Sequence, residues 1–167
     1  MKALLFINGT PPENFPHLEQ YTLIAASDGA FHYLVKKAFP LGKLDFVSGD
    51  FDSAYEKEWV REAAEKIGFQ VYETPDQNRT DFEKALEILL EKGTEKVDIY
   101  GGSGGEMDHF LGNLTVAYKF KNRLEIRFYD EFSEYYFIPN TFEISGVEGR
   151  MISLYPFPFA EGIITKG

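Results

Sequence analysis

The chain of 167 residues has no cysteine, only 17 lysine and arginine residues, and no long apolar run. The lack of cysteine excludes a disulfide framework, a thiolate metal site and a cysteine nucleophile. Because 27 acidic residues give a net charge of −10 and no run of basic residues occurs, we do not expect DNA or RNA as a partner. No stretch approaches the roughly 20 apolar residues that span a membrane, so we expect a soluble, cytoplasmic protein.

Apolar, strand-like runs alternate with helix-period segments from the amino terminus to about Asp130. This alternation predicts an α/β domain in which helices flank a mostly parallel sheet. The predicted strands are apolar almost throughout, as expected where helices cover both faces of a sheet. They are Ala3–Ile7, Leu23–Ala26, Phe46–Ser48, Gln70–Glu73, Val97–Tyr100 and Leu124–Tyr129.

The clearest predicted helix runs from Thr80 to Lys92, where apolar residues recur at helical spacing to form one buried stripe. Thr80 and Glu83 form the pattern of a capping box at its start, and Gly93 marks its end. The same spacing predicts a second helix from Asp108 to Phe120. Weaker patterns predict two further helices, Ala30–Phe39 and Tyr55–Ile67.

The pattern changes after Asp130, where three short strand-like runs follow one another with turns between them. We therefore divide the chain into a catalytic α/β domain of residues 1–130 and an all-β unit of residues 131–167. Because the pattern predicts another strand from Glu161 with no closing element after it, we expect a partial, truncated β-sandwich. The predicted strands of this unit are Glu134–Ile138, Thr141–Ile144 and Arg150–Tyr155.

Two aspartates, Asp50 and Asp52, flank one phenylalanine directly after a predicted strand, and Asp81 stands at the start of a predicted helix. Residues two apart on an extended segment point the same way, so Asp50 and Asp52 can face one cation together. Magnesium prefers oxygen ligands. The three aspartates therefore predict a Mg²⁺ site. Turn formation is the alternative explanation for the Asp50 and Asp52 pair, and complementation of the helix dipole is the alternative for Asp81.

Four polar segments follow predicted strands, and in a parallel sheet such segments meet at one edge, where ligands bind. They are residues 27–30, 49–53, 75–81 and 101–109. The last contains the glycine-rich loop Gly101–Gly105, whose backbone can approach a phosphate closely. This loop matches neither the Walker pattern nor the dinucleotide fingerprint, and a plain flexible connection explains it equally well. Asp108 and His109 beside it strengthen the prediction of a site.

Taken together, these segments resemble the thiamine pyrophosphokinase family. The resemblance spans most of residues 21–120 and rests on motifs in the family's order and spacing. They are Ser27-Asp28-Gly29-Ala30, Gly49-Asp50-Phe51-Asp52-Ser53, Asp76-Gln77-Asn78-Arg79-Thr80-Asp81-Phe82 with Lys84-Ala85-Leu86, and Gly101-Gly102 through Gly105 with Asp108, His109 and Asn113. The chain departs from the family pattern in having one glycine fewer after Asp28, and Glu106 where an arginine is usual.

The resemblance implies transfer of a pyrophosphoryl group from ATP to the hydroxyl of thiamine, with release of AMP. It also implies a homodimer of two-domain chains with a shared substrate pocket. By this match, Asp50, Asp52 and Asp81 are catalytic residues that bind magnesium, and Asp108 lies near the substrates. Our hypothesis is that Asp108 is also catalytic and orients or deprotonates the hydroxyl. The matched positions that contact or shape the nucleotide and substrate pocket are Ser27, Asp28, Gly29, Gln77, Asn78, Thr80, Gly101, Gly102, Gly104, Gly105, His109 and Asn113.

Two alternative functions fit part of the sequence. A magnesium-dependent phosphatase or phosphotransferase would use Asp50, the first aspartate of the Asp-x-Asp pair, as a nucleophile. That reading leaves Asp81 and the glycine loop without a role. A non-catalytic nucleotide-binding module is the second alternative.

Overall fold

The computed structural model describes residues 1–166, which fall into two units. The first unit is Met1–Phe137, and the second begins at Ile138. The first unit contains one seven-stranded sheet and four α-helices. The strands are β1 (Lys2–Phe6), β2 (Leu23–Ser27), β3 (Phe46–Gly49), β4 (Gln70–Glu73), β5 (Lys96–Tyr100), β6 (Glu125–Tyr129) and β7 (Glu134–Tyr135). The helices are α1 (Asp28–Lys36), α2 (Ala54–Ile67), α3 (Asp81–Glu91) and α4 (Met107–Phe120).

The strand order is β4-β3-β2-β1-β5-β6-β7. Every neighbouring pair is parallel except β6 and β7, which run antiparallel. The chain thus builds outward from β1 to β4, then crosses back to place β5 on the other side of β1. Ligands of open α/β sheets bind at such a reversal point, beyond the carboxyl ends of the strands.

The sheet is covered on both faces, because successive strand residues point to opposite sides. Leu5 and Ala25 pack with α3 and α4 in one buried cluster. Leu4 and Ala26 pack with α1 and α2 in the other. The result is the three-layer α/β arrangement that the alternating pattern predicts, and the six predicted parallel strands and four predicted helices are confirmed to within a few residues at their ends.

Three helices begin at the carboxyl edge of the sheet, each with a hydroxyl side chain as its cap. The hydroxyl of Ser27 accepts the N–H of Ala30 at the start of α1, and Ser53 caps α2 in the same way. The Thr80 hydroxyl accepts the N–H of Glu83 at 3.1 Å, which forms half of the predicted capping box. The Glu83 carboxylate pairs with Lys119 of α4, so it ties the two helices together.

The strand prediction after Asp130 is mostly wrong. The predicted strand Glu134–Ile138 is reduced to β7, which joins the α/β sheet beside β6. Tyr135 pairs with Phe128 there, with stacked rings 4.9 Å apart between centroids, so the first unit extends to Phe137. The predicted strands 141–144 and 150–155 are absent from residues 138–166 as the structure describes them. A strand needs a partner for its backbone groups, and none pairs with these runs here; the β-sandwich stays a prediction.

Within residues 1–166, the helices are all too short or too polar to cross a membrane.

Candidate active site

Three aspartates converge at the carboxyl edge of the sheet: Asp28, Asp50 and Asp81. One carboxylate oxygen of each lies within 4.8 Å of the others. Asp28 and Asp81 are the first residues of α1 and α3, and Asp50 directly follows β3. Three separate loops therefore deliver one carboxylate each to a common point, which we call the acidic triplet.

The acidic triplet contains Asp28 where the sequence pattern predicts Asp52. The predicted pairing of Asp50 with Asp52 assumed an extended segment, but Phe51 between them has a φ of 50°, in the left-handed region. This turn removes the alternation that would aim both carboxylates the same way. Phe51 is buried in the core beneath α1 and α2, whereas Asp52 is exposed and lies outside the triplet.

The Asp28 carboxylate is held from three sides. It accepts the backbone N–H of Gly29 at 2.7 Å and that of Phe51 at 3.1 Å. It also lies against Gly49, where an added β-carbon would be 2.1 Å from Oδ2. Burial raises the pKa of Asp28 to about 6, and the charges of Asp81 and Asp50 add to this, although the two N–H donors oppose it. Asp28 is thus a carboxylate that is poorly compensated without a cation.

Asp50 has one polar partner from the segment between β4 and α3, and Asp81 has one from α3 itself. The side-chain amide of Gln77 donates to Asp50 Oδ2 at 2.6 Å. Asp81 Oδ1 is buried and accepts no aligned hydrogen bond among the described residues. The ammonium of Lys84 lies 2.8 Å from that oxygen, so the contact is ionic.

The segment that carries Gln77 is a turn closed on itself. The Asp76 carboxylate accepts the backbone N–H of Asn78 and the side-chain N–H of Arg79, both at 2.9 Å, and these bonds lower the pKa of Asp76. Three residues of this segment are predicted to line the pocket. Gln77 contacts the triplet through its hydrogen bond to Asp50, and Thr80 caps α3. Asn78 is exposed, and its backbone N–H closes the turn on Asp76.

The glycine-rich loop packs against the loop after β1, at the point where the strand order reverses. The carbonyl oxygen of Ser103 accepts the N–H of Thr10 at 2.9 Å. A β-carbon on Gly9 would lie 2.2 Å from the carbonyl oxygen of Gly101. Asn113 of α4 donates its amide to the carbonyl of Gly102 at 3.0 Å, so this predicted pocket residue holds the loop in place.

The loop Asn8-Gly9-Thr10 is the part of the site that the sequence analysis missed. Its Asn8 side chain lies over the first turn of α1, where a β-carbon on Gly29 would be 2.4 Å from Asn8 Cγ. The loop therefore touches both the glycine-rich loop and the segment that carries Asp28. The sequence signal was present as an Asn-Gly turn directly after a predicted strand, the same position that the other four segments occupy.

Asp108 and His109 lie in a second group, with Glu106, at the start of α4. All three side chains are exposed, and His109 Nε2 is 3.5 Å from Glu106 Oε2. Neither Asp108 nor His109 belongs to the acidic triplet. Glu106, which stands where an arginine is usual, occupies the cap position of α4 without a side-chain capping bond.

The acidic triplet fits a magnesium ion. Mg²⁺ takes oxygen ligands and is usually bound through one or two carboxylates together with waters and phosphate oxygens, so the triplet offers enough carboxylates for it. Asp81 Oδ1, which is buried without an aligned hydrogen bond, and Asp28, whose pKa is raised, are both oxygen donors that a cation would stabilise.

The parallel sheet, with the acidic triplet and the glycine-rich loop at its carboxyl edge, defines an α/β protein whose ligand site lies where open α/β sheets bind their ligands. The family model "Thiamin pyrophosphokinase, catalytic domain" matches residues 16–128. The thiamine pyrophosphokinase of Bacillus subtilis (strain 168) is 33% identical over 165 residues, which is 94% of this chain and 75% of that protein. The chain therefore belongs to the thiamine pyrophosphokinase family.

Solved structures agree with this. A crystal structure of thiamine pyrophosphokinase from Bacillus subtilis superposes with a TM-score of 0.58 at 30% identity, covering 77% of this chain and 61% of that one. A thiamin pyrophosphokinase family protein from Enterococcus faecalis gives a TM-score of 0.62 at 26% identity, covering 78% and 62%. The chain thus spans somewhat less than two thirds of these solved chains.

Proposed function

We propose that this chain transfers a pyrophosphoryl group from ATP to the hydroxyl of thiamine, releasing AMP, with its ATP and Mg²⁺ site in residues 1–130. The observation that carries the proposal is the acidic triplet beside the glycine-rich loop, in a chain that belongs to this family. Such transfer asks a protein mainly to align the reactants and to compensate negative charge. Both parts of that task correspond to features at this edge of the sheet.

In this proposal, Asp28, Asp50 and Asp81 hold the magnesium ion. When bound, Mg²⁺ neutralises charge on the ATP phosphates and on the departing AMP. Gln77 orients Asp50 by its hydrogen bond of 2.6 Å, and the backbone N–H groups of Gly29 and Phe51 orient Asp28. Asp52 is exposed and is kept as a further candidate ligand, to be tested against Asp28.

The glycine-rich loop forms the second half of the proposed site. Gly104 and Gly105 are exposed and have positive φ values of 80° and 82°. A β-carbon on Gly104 would lie 1.8 Å from Thr10 Oγ1, whereas one on Gly105 would meet nothing within 4 Å, so a ligand can approach the Gly105 backbone without meeting a side chain. We assign Asp108, at the exposed start of α4, to the thiamine hydroxyl, which it orients or deprotonates. An Asp108→Asn variant with normal turnover and unchanged thiamine binding would remove that role.

The remaining parts of the proposal concern the chain beyond this site. We propose a cytoplasmic homodimer with a shared substrate pocket, in which residues 138–166, the second unit, belong to a β-sandwich that binds thiamine. The support is family membership. Light scattering coupled to size-exclusion chromatography tests the dimer, and a monomeric protein with full activity would contradict the shared pocket.

The experiment that tests the activity is AMP release from ATP and Mg²⁺, with and without thiamine. Asp50→Asn is the active-site variant, and Glu58→Gln, an exposed residue of α2, is the matched carboxylate control. We expect thiamine-dependent AMP release from the wild type and the control. In Asp50→Asn we expect the rate of AMP release to be at least about 100-fold lower, as when a group that stabilises the transition state is removed. A second protein, extended past Gly167, shows whether thiamine binding needs further chain.

The alternatives give different products. Release of inorganic phosphate with a trapped phosphorylated Asp50 would favour the phosphatase reading. ATP binding without AMP from either protein would favour a binding module.

A further inference from the structure

Lys84 is a charged side chain almost completely removed from solvent. It lies on α3, three residues after Asp81, and only 4% of its surface is exposed. Its ammonium donates to the backbone carbonyl oxygens of Thr74 at 2.6 Å and Asp76 at 3.2 Å, and lies 2.8 Å from Asp81 Oδ1. An ammonium has three protons to donate, and three oxygens surround this one. A buried charge without partners is costly. The ammonium therefore holds these three oxygens around itself.

The same ammonium also reaches Asp50 indirectly. Asp76, whose carbonyl oxygen it holds, precedes Gln77, and the Gln77 amide donates to Asp50 Oδ2 at 2.6 Å. Lys84 therefore contacts one member of the acidic triplet directly and fixes the backbone from which Gln77 orients a second. Asp50 and Asp81 follow different strands, so their carboxylates have no covalent reason to keep a constant separation.

The turn between Lys84 and Gln77 is stiff enough to transmit this constraint. The Asp76 carboxylate binds the backbone N–H of Asn78 and the side chain of Arg79, and Arg79 pairs in turn with Glu87 of α3. Anchoring the Asp76 carbonyl to Lys84 thus anchors a turn that is already closed on itself and tied to the same helix.

We propose that Lys84 is a positioning residue that sets the separation of the Asp50 and Asp81 carboxylates for the metal ion. This inference deepens the proposed function and rests on it. Lys84 acts through those carboxylates and through the turn that carries Gln77. In the opposite role, the positive charge of Lys84 would weaken metal binding, because it repels a cation at this distance. The two roles predict opposite signs when the charge is removed.

The test is direct binding of Mn²⁺, followed by electron paramagnetic resonance without nucleotide or thiamine. In Lys84→Met, which keeps the apolar stem, we expect Mn²⁺ affinity to fall by about tenfold or more, the usual effect of losing a group that orients metal ligands. Lys119→Met is the matched control, because Lys119 also pairs with a carboxylate of α3, Glu83, but is largely exposed. We expect the control to bind Mn²⁺ like the wild type.

Each outcome decides the matter. Unchanged or tighter Mn²⁺ binding in Lys84→Met, with normal binding by the wild type, overturns the positioning role alone. A wild type that binds no Mn²⁺ shows that the metal site of the proposed function is wrong, and the role of Lys84 falls with it. Equal losses in Lys84→Met and Lys119→Met would show a general effect on α3 and also overturn it.

Two further variants keep the proposal testable if Lys84→Met does not fold, as judged by circular dichroism. Lys84→Arg keeps the charge and reach, and we expect it to retain measurable Mn²⁺ binding, intermediate between wild type and none. Gln77→Leu changes an exposed residue and removes only the link to Asp50, so we expect about tenfold weaker binding or more, as for loss of a group that orients a metal ligand. Wild-type affinity in Gln77→Leu would show that the turn does not control Asp50.

Discussion

Gly49 and Asp28 occupy neighbouring space that leaves no room for a side chain between them: a β-carbon at Gly49 would lie 2.1 Å from Asp28 Oδ2. Gly49 is the last residue of β3 and Asp28 the first of α1. Because Gly49 at the end of β3 has no side chain, there is room for the carboxylate of Asp28, which follows the neighbouring strand β2.

We expect Gly49→Ala to displace the Asp28 carboxylate from the acidic triplet. Overpacking of a filled site costs about 1–3 kcal/mol, so the free energy of unfolding should fall by that amount, and Mn²⁺ affinity with it. Chemical denaturation and Mn²⁺ titration measure the two effects. Gly42→Ala is the control, because nothing lies within 4 Å of its added β-carbon. Wild-type metal affinity in Gly49→Ala would contradict the close contact.

Asp28 gives the metal-free protein a stability that depends on pH. Its pKa is about 6 in the folded protein and 3.8 without the fold's influence. Between these values the unfolded chain has lost the proton that the folded chain keeps, so the Asp28 contribution falls as pH rises from about 4 to 6 and is flat above. Each unit of pKa difference corresponds to about 1.4 kcal/mol of unfolding free energy. Because Asp28 is partly exposed, we expect a total loss of about 1–2 kcal/mol.

Asp28→Asn removes this dependence. We expect the variant to unfold at higher denaturant concentration than the wild type at pH 7 without metal, and to lose the stabilisation that Mg²⁺ gives the wild type. Urea denaturation at pH 4, 5, 6 and 7, with and without Mg²⁺, measures both. Glu58→Gln controls for a general change of net charge. If the difference in unfolding free energy between the wild type and Asp28→Asn grew towards low pH, this explanation would be contradicted.

Gly101 and Gly105 separate backbone strain from steric overlap in the glycine-rich loop. Both have positive φ, 79° and 82°, but a β-carbon would lie 2.1 Å from the carbonyl oxygen of Ile7 at Gly101 and meets nothing within 4 Å at Gly105. Gly105→Ala should cost about 1 kcal/mol from the left-handed conformation alone. Gly101→Ala should cost about 2–4 kcal/mol, since overlap is added. Equal losses in urea denaturation would rule out the close approach to β1.

Asp28 and Asp52 are the two candidates for the third carboxylate ligand of the proposed metal site. In the structure, Asp28 lies in the acidic triplet and Asp52 does not. We therefore expect Asp28→Asn to weaken Mn²⁺ binding in the absence of nucleotide more than Asp52→Asn does, by about tenfold or more, as for loss of a direct ligand against loss of a remote one. The reverse ranking would show that the 50–52 segment turns to present Asp52 when metal binds.

The fold could be predicted from sequence because its signals are local and repeated. Apolar strands such as Ala3–Ile7 and the stripe that begins at Phe82 depend on period alone. The gathering of Asp50 and Asp81 at one edge followed from the rule that the ends of parallel strands meet. The exchange of Asp52 for Asp28 could not be predicted, because it depends on the left-handed conformation of Phe51, which no local preference of phenylalanine indicates.

The contacts of Lys84 and of the Asn8 loop were not predictable for a different reason. The Asn8 loop contacts segments that are distant in the sequence. Lys84 donates to the backbone carbonyls of Thr74 and Asp76 in an irregular turn, which no periodic pattern indicates. The loss of the two strands after Ile138 reflects the same limit, since β-propensity describes fit to a pleated surface and not the presence of a partner.

The hydroxyl caps of α1 and α3 place two helix beginnings directly beneath the acidic triplet, with Asp28 and Asp81 as the first helical residues. A helix start carries about half a positive charge from its aligned peptide dipoles. Two of the three negative side chains are therefore balanced in part by the backbone itself, which can neither diffuse away nor change protonation. The backbone therefore lowers the repulsion among these carboxylates in the metal-free protein.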